Sequence, residues 1–150
     1  MKNRRRPLPA RITLALCLVL ITTAWNLVRV WSSLALADVL QEYAPWPGPV
    51  YIGITGAVFA GLGLALLWGF WRRVGWAPAG LLAVAFGYTA WIWTDRMFLQ
   101  PGASQSNWQF SLVITVVLMS FIAAVALHPA NRHYFGKEAH EREVQDRPTA

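Results

Sequence analysis

Four long apolar runs dominate the sequence and restrict what the chain can fold into. They cover residues 12–31, 50–71, 77–98 and 108–128, and each holds 20 or more residues. A helix of that length spans a bilayer core of about 30 Å, at a rise of about 1.5 Å per residue. Backbone groups in hydrocarbon must be hydrogen-bonded within their own segment, and the alternating pattern of a membrane β-strand is missing from the runs. The sequence therefore predicts an all-α fold, an integral membrane four-helix bundle.

The composition supports a lipid environment. Hydrophobic residues make up 56% of the chain and charged residues 13%, which is too apolar for a soluble domain of 150 residues. The nine Trp residues exceed what a small core needs, and amphipathic aromatic side chains accumulate where water meets the acyl chains. The single cysteine, Cys17, excludes a disulfide framework or a cysteine-rich metal site within one chain.

The distribution of basic residues predicts the orientation. Lys and Arg concentrate at residues 1–11, in the 72–76 loop and in the charged tail at 129–150, where we also expect a short cytoplasmic helix. Because positive charge marks the cytoplasmic side, we predict an inner or plasma membrane protein with both termini in the cytoplasm. The net charge of +6 then fits contact with anionic headgroups, so the expected partners are membrane lipids and not nucleic acid.

Two features near the N-terminus leave alternatives open. Residues 32–49 either continue the first helix or form a short interfacial helix before a Pro-rich cluster. Residues 1–37 also resemble a secretory signal peptide, with a basic start, an apolar stretch and an Ala-Leu-Ala sequence before the possible cleavage point. The apolar stretch is too long for a signal peptide, and Trp and polar residues separate it from that point. We therefore favour an uncleaved first span.

Small residues recur at every fourth position on the second helix. The set is Gly53, Ala57, Gly61, Ala65 and Gly69, and the third helix repeats the spacing at Ala79, Ala83 and Gly87. Membrane helices associate through small residues that let their backbones approach closely. Only residues 72–76 connect the two helices, which must then be antiparallel neighbours. We predict that these residues form a packing seam between helices two and three, with a homodimer interface through helix two as the alternative.

A polar and aromatic cluster is predicted near the outer ends of helices one and three. Asn26 and Arg29 share a face of helix one, and Tyr88, Trp91 and Asp95 share a face of helix three. Arg29 and Asp95 reach similar depth, which predicts an ion pair. One interpretation is structural, with the two charges as interfacial anchors. The other is a pocket in which these five residues bind a small amphipathic ligand or a lipid headgroup.

The sequence carries no signal of catalysis. It has no acidic residue in mid-membrane and no known catalytic motif, and its three His residues, which begin at His128, all lie at one end of the fold, where they cannot hold a haem across the bundle. We therefore expect no enzymatic activity, no cofactor and no metal site. The function that we favour is an accessory or scaffold subunit acting through helix packing, in a homodimer or a larger membrane complex. The alternative is a transporter or receptor that binds a small amphipathic molecule in the outer pocket.

Overall fold

The computed structural model describes residues 10–43, 47–99 and 107–128, and within these ranges it contains helices and no strand. The helices are α1 (Ala10–Ala35), α2 (Ala37–Tyr43), α3 (Gly48–Trp71), α4 (Ala77–Thr94) and α5 (Trp108–Leu127), and a π-helical stretch, Asp95–Leu99, continues α4. The predicted all-α class is confirmed. The basic residues before α1 and the charged tail after α5 lie outside the described residues, so the predicted helix in the tail stays a prediction.

Three of the helices in the described part of the chain, α1, α3 and α5, are long and apolar enough to cross a membrane. This indicates a membrane protein. Helix α4 does not reach the same mean hydropathy, because its 18 residues include Pro, Thr, Tyr and two Trp residues. A membrane-spanning role for α4 therefore stays a prediction.

The helix boundaries show how the chain uses its prolines and its first loop. Helix α1 continues past Trp31 to Ala35, and the short helix α2 follows after a turn at Leu36. Residues 32–35 thus extend the first helix, and residues 37–43 form a second one. Pro49 and Pro78 lie in the first turns of α3 and α4, where the missing N–H has no partner within the helix in any case.

The most extensive contact between helices joins α1 and α3. Gly56, Ala60 and Gly63 of α3 are buried. A Cβ atom on Gly56 would lie 3.1 Å from the backbone oxygen of Asn26, and one on Gly63 would overlap the Thr23 hydroxyl. Glycine at these two positions is what allows the two antiparallel backbones to approach, as in other membrane helix pairs.

The stripe of small residues predicted on the second helix winds around α3 and does not face α4 as a unit. Gly53 lies against α1, where its Cβ would be 2.7 Å from the Ser33 hydroxyl oxygen, and Gly69 lies against Trp76. A spacing of four residues advances about 40° per step on a helix with 3.6 residues per turn, so five positions cover about 160°. The three middle members are therefore exposed: Ala57, Gly61 and Ala65.

The matching residues on α4 are also exposed, namely Ala79, Ala83 and Gly87. Helix α4 instead buries Ala77 and Leu81. The seam inside this chain therefore runs between α1 and α3 along Gly56, Ala60 and Gly63, one face away from the predicted stripe. The alternative of a homodimer through the exposed stripe stays a prediction.

The apolar core lies toward one end of the fold, which we call the turn end because it holds the 72–76 connection. Its buried members come from α1, α3, α4 and α5: Ile12, Ala15, Val19, Leu66, Phe70, Ala77, Leu81, Ile122 and Val125. Trp76 packs between Gly69 and Gly80, which are both close enough for a Cβ atom to meet its indole ring. The opposite end, which we call the polar end, holds Arg29, Tyr51, Trp91 and Asp95.

Substitution of glycine by leucine should affect stability at one position of α3 and not at another. Gly63→Leu should lower the free energy of unfolding by about 1–3 kcal/mol, because the added side chain collides with α1. Gly61→Leu should leave it nearly unchanged, because a Cβ atom there meets nothing within 4 Å. Unfolding in detergent measures both variants, and a large loss with Gly61→Leu would contradict the packing described.

Candidate functional site

A hydrogen-bonded chain of side chains joins α3 to α4 at the polar end. The Trp91 indole Nε1–H donates to the Tyr51 hydroxyl oxygen over 3.0 Å, and the Tyr51 hydroxyl donates to Asp95 Oδ1 over 2.9 Å. All three side chains are partly buried. In hydrocarbon each of these polar groups would be costly without a partner, so the chain of bonds stabilises their position near the end of the helices.

An aromatic cluster lies directly below this chain of bonds. Phe59 of α3 meets Tyr88 edge to face, with ring centroids 4.7 Å apart, and it meets Trp91 at 5.1 Å. Tyr88 and Trp91 are neighbours on α4, with centroids 5.8 Å apart. Both distances from Phe59 fall in the range where aromatic pairs contribute beyond their buried area. The orientation of Trp91 is therefore fixed both by its ring contacts and by its hydrogen bond.

Arg29 reaches the same cluster from α1. Its guanidinium carbon lies 5.0 Å from the centroid of the Trp91 ring, a cation–π contact. The structure thus links Arg29 to Asp95 through two intermediate side chains, Trp91 and Tyr51. The direct ion pair predicted between Arg29 and Asp95 stays a prediction.

Asn26 does not join the cluster, although the sequence placed it there. Its side chain has 0% exposure, and its Nδ2–H donates to the Thr22 carbonyl oxygen of its own helix over 2.8 Å. It lies against Gly56 in the contact between α1 and α3, and its Oδ1 has no hydrogen-bond partner within the described residues. Of the five predicted site residues, the structure therefore brings together Arg29, Tyr88, Trp91 and Asp95.

The π-helical stretch after α4 connects the polar end to α5. Arg96 lies next to Asp95 in this stretch, and its guanidinium donates to the Ser111 hydroxyl over 2.7 Å. A π-helical turn shifts the following side chains relative to an α-helix, and such turns are frequent at functional sites. The two charged residues at the end of α4 thus face different neighbours, with Asp95 toward α3 and Arg96 toward α5.

Sequence reasoning missed Tyr51 and Phe59, the two residues of α3 in the site. A usable signal was present, because antiparallel helices joined by a tight turn pair residues that are equally distant from it. The turn lies between Arg73 and Val74, so this rule pairs Phe59 with Tyr88 and places Tyr51 beside Asp95. Those are the contacts that the structure contains.

The chemistry that this arrangement supports is binding and positioning. Its one carboxylate accepts a hydrogen bond from Tyr51, and its cation lies on an aromatic face. Within the described residues, no group of three or more His, Cys, Asp or Glu side chains comes together in a way that could hold a metal ion. The chain matches no protein-family model, no curated protein and no solved structure.

The hydrogen bonds of Tyr51 predict a measurable coupling. Tyr51→Phe should lower the free energy of unfolding in detergent by about 1–3 kcal/mol, because it leaves the Trp91 indole and the Asp95 carboxylate each without one partner. Combined with Asp95→Ala, it should cost less than the sum of the two single changes.

Thr55→Val is the matched control on the same helix. The Thr55 hydroxyl donates to the Tyr51 carbonyl oxygen of its own helix, so its removal should cost less and should be additive with Asp95→Ala. Additive losses for Tyr51→Phe and Asp95→Ala would show that the bond between them contributes nothing to stability.

Proposed function

We propose that this chain is a four-span integral membrane protein that works without enzymatic activity, as an accessory or scaffold subunit in contact with another membrane protein through α3. The observation that carries the proposal is the exposed middle of α3. Ala57, Gly61 and Ala65 form a shallow surface there, and a Cβ atom on Gly61 meets nothing within 4 Å. Such a surface admits a second helix at short distance, which is how membrane helices associate.

The length and position of α4 support a fourth span. Its 18 residues extend about 27 Å at about 1.5 Å per residue, close to the bilayer core of about 30 Å. It contacts both α3 and α5, each of which is long and apolar enough to cross the membrane. With four spans and the basic flanks, both termini lie in the cytoplasm of an inner or plasma membrane protein.

Cysteine labelling tests this topology. In a Cys17→Ala background, a membrane-impermeant maleimide added from outside should label Gln41→Cys and Ser104→Cys, because both positions lie in the predicted outer loops. It should not label Arg73→Cys or Glu141→Cys until the membrane is permeabilised. Labelling of Arg73→Cys in intact cells would contradict the proposed orientation.

Purification of the full chain from its native membrane in a gentle detergent tests the subunit role. One other membrane protein should be retained in a fixed ratio, and Gly61→Leu should release it without lowering the thermal stability of the chain. The reason is that a leucine side chain fills the shallow surface but meets nothing inside the chain.

Gly87→Leu is the matched control. A Cβ atom on Gly87 also meets nothing within 4 Å, but Gly87 lies on α4 and not on α3. This variant should retain the partner. Retention by Gly61→Leu, or release by both variants, would contradict the assignment to α3. Recovery of the chain only as pairs of itself would replace the subunit role with a homodimer.

A second candidate function is binding of a small amphipathic molecule or a lipid headgroup at the polar end, as a transporter or receptor. The observation in its favour is Arg29, whose charge lies over Trp91 beside a cluster of aromatic rings. A guanidinium held in this way presents its N–H groups to an anion. The same purification distinguishes the two candidate functions. If the chain is a transporter or receptor, a lipid or small molecule should be retained and no other protein, and Arg29→Gln should release that molecule.

A further inference from the structure

Two adjoining cavities, each about half open to the surroundings of the protein, lie midway along the helices and share Tyr88 in their walls. The larger, of about 140 Å³, lies between α1, α4 and α5, and the smaller, of about 90 Å³, lies between α1, α3 and α4 with one contact from α5. Both are lined mostly by apolar atoms. Five residues form part of both walls: Leu18, Thr22, Ala85, Tyr88 and Ile122.

The larger cavity exists because α5 packs tightly over only part of its length. Its buried residues are Ile122, Val125 and Ala126, all near the turn end. Closer to the polar end, Val113 and Val117 are more than half exposed. Thr115 and Met119 are partly buried and line the space between α1, α4 and α5 from the side of α5.

Tyr88 lines both cavities and carries a hydroxyl group that can donate a hydrogen bond. Its ring is held by Phe59 and Trp91, while its hydroxyl has no hydrogen-bond partner among the described residues. A hydroxyl without a partner in a region that excludes bulk water is costly. A ligand atom that accepts this bond is therefore favoured over one that does not.

The threonines around the larger cavity supply the complementary acceptors. The Thr22 hydroxyl donates to the Leu18 carbonyl oxygen and the Thr115 hydroxyl to the Ser111 carbonyl oxygen, both over 2.8 Å. Each threonine hydroxyl thus donates its proton to a carbonyl oxygen of its own helix, while its oxygen atom keeps lone pairs that can accept a hydrogen bond. A ligand hydroxyl matches this set, because it accepts from Tyr88 and donates to a threonine oxygen.

We propose that the larger cavity binds a compact, membrane-dissolved molecule with an apolar body and one hydroxyl group, of the phenol type, with Tyr88 as the hydrogen-bond donor. The size follows from the volume, since an apolar protein cavity of about 150 Å³ takes up benzene. This site differs from the exposed surface of α3 and from Arg29, so it does not depend on the function proposed above.

Photolabelling of the full chain in lipid nanodiscs tests the proposal with two probes of the same shape. 4-Azidophenol carries the hydroxyl, and 4-azidotoluene carries a methyl group in its place. 4-Azidophenol should label residues 85–92 and 115–122 at least threefold more strongly than 4-azidotoluene, as mapped by mass spectrometry of the peptides. Tyr88→Phe should lower labelling by 4-azidophenol about three- to tenfold, the range of one net hydrogen bond, and leave 4-azidotoluene unaffected.

Two further variants separate occupancy of the cavity from general partitioning into lipid. Ala85→Phe fills the wall that the two cavities share, and should abolish labelling by both probes. Ala90→Phe adds the same side chain at an exposed position of α4, and should have no effect. Thr115→Val keeps the shape of the wall but removes an acceptor, so it should lower labelling by 4-azidophenol only, even if Ala85→Phe fails to fold.

Three results would overturn the proposal. The first is equal labelling by the two probes in the unmodified chain, which would show that the hydroxyl is not recognised. The second is labelling spread over the exposed faces of α3 and α5, which would indicate partitioning into lipid. The third is undiminished labelling of a folded Ala85→Phe variant, which would show that the probes bind elsewhere.

Discussion

The close approach of α1 and α3 is the constraint on which the rest of the structure depends. Helices in lipid gain little from burying apolar side chains, because the acyl chains are equally apolar, so backbone proximity and dispersion hold them together. Gly56 and Gly63 provide that proximity against Thr23 and Asn26. The side chains of Thr23 and Asn26 then make their hydrogen bonds within their own helix.

This pairing also positions the groups at the polar end. With α1 fixed on α3, and α4 returning along α3 through a short turn, Arg29 and Trp91 arrive at the same level from two helices. Tyr51 then lies where it can bond both Trp91 and Asp95. Each of the four polar-end side chains thus has a neighbour of suitable chemistry, which lowers the cost of placing it near hydrocarbon.

Helix α5 buries side chains at one end only, and this explains where the cavity lies. Its buried residues are confined to the turn end, where the apolar core joins all four long helices. Toward the polar end, the Arg96 guanidinium donates a hydrogen bond to the Ser111 hydroxyl of α5. Between these two attachments the packing leaves the cavity beside Tyr88. A tightly packed core and an accessible interior thus coexist in one small fold.

The amino-acid sequence by itself determined the helical class, the approximate helix ends and the antiparallel arrangement of α3 and α4, because run length, prolines and a five-residue turn act locally. It also located Arg29, Trp91 and Asp95 near one end of the helices. Only the tertiary structure decided which face each helix buries. Helices α3, α4 and α5 are apolar on every side, so no amphipathic pattern identifies the inner face. Gly56 and Gly63 pack against α1, while Gly61 does not. Tyr51 is the residue that bonds to Asp95. Both results depend on how helices distant in sequence fit together, which the chain settles only when it folds.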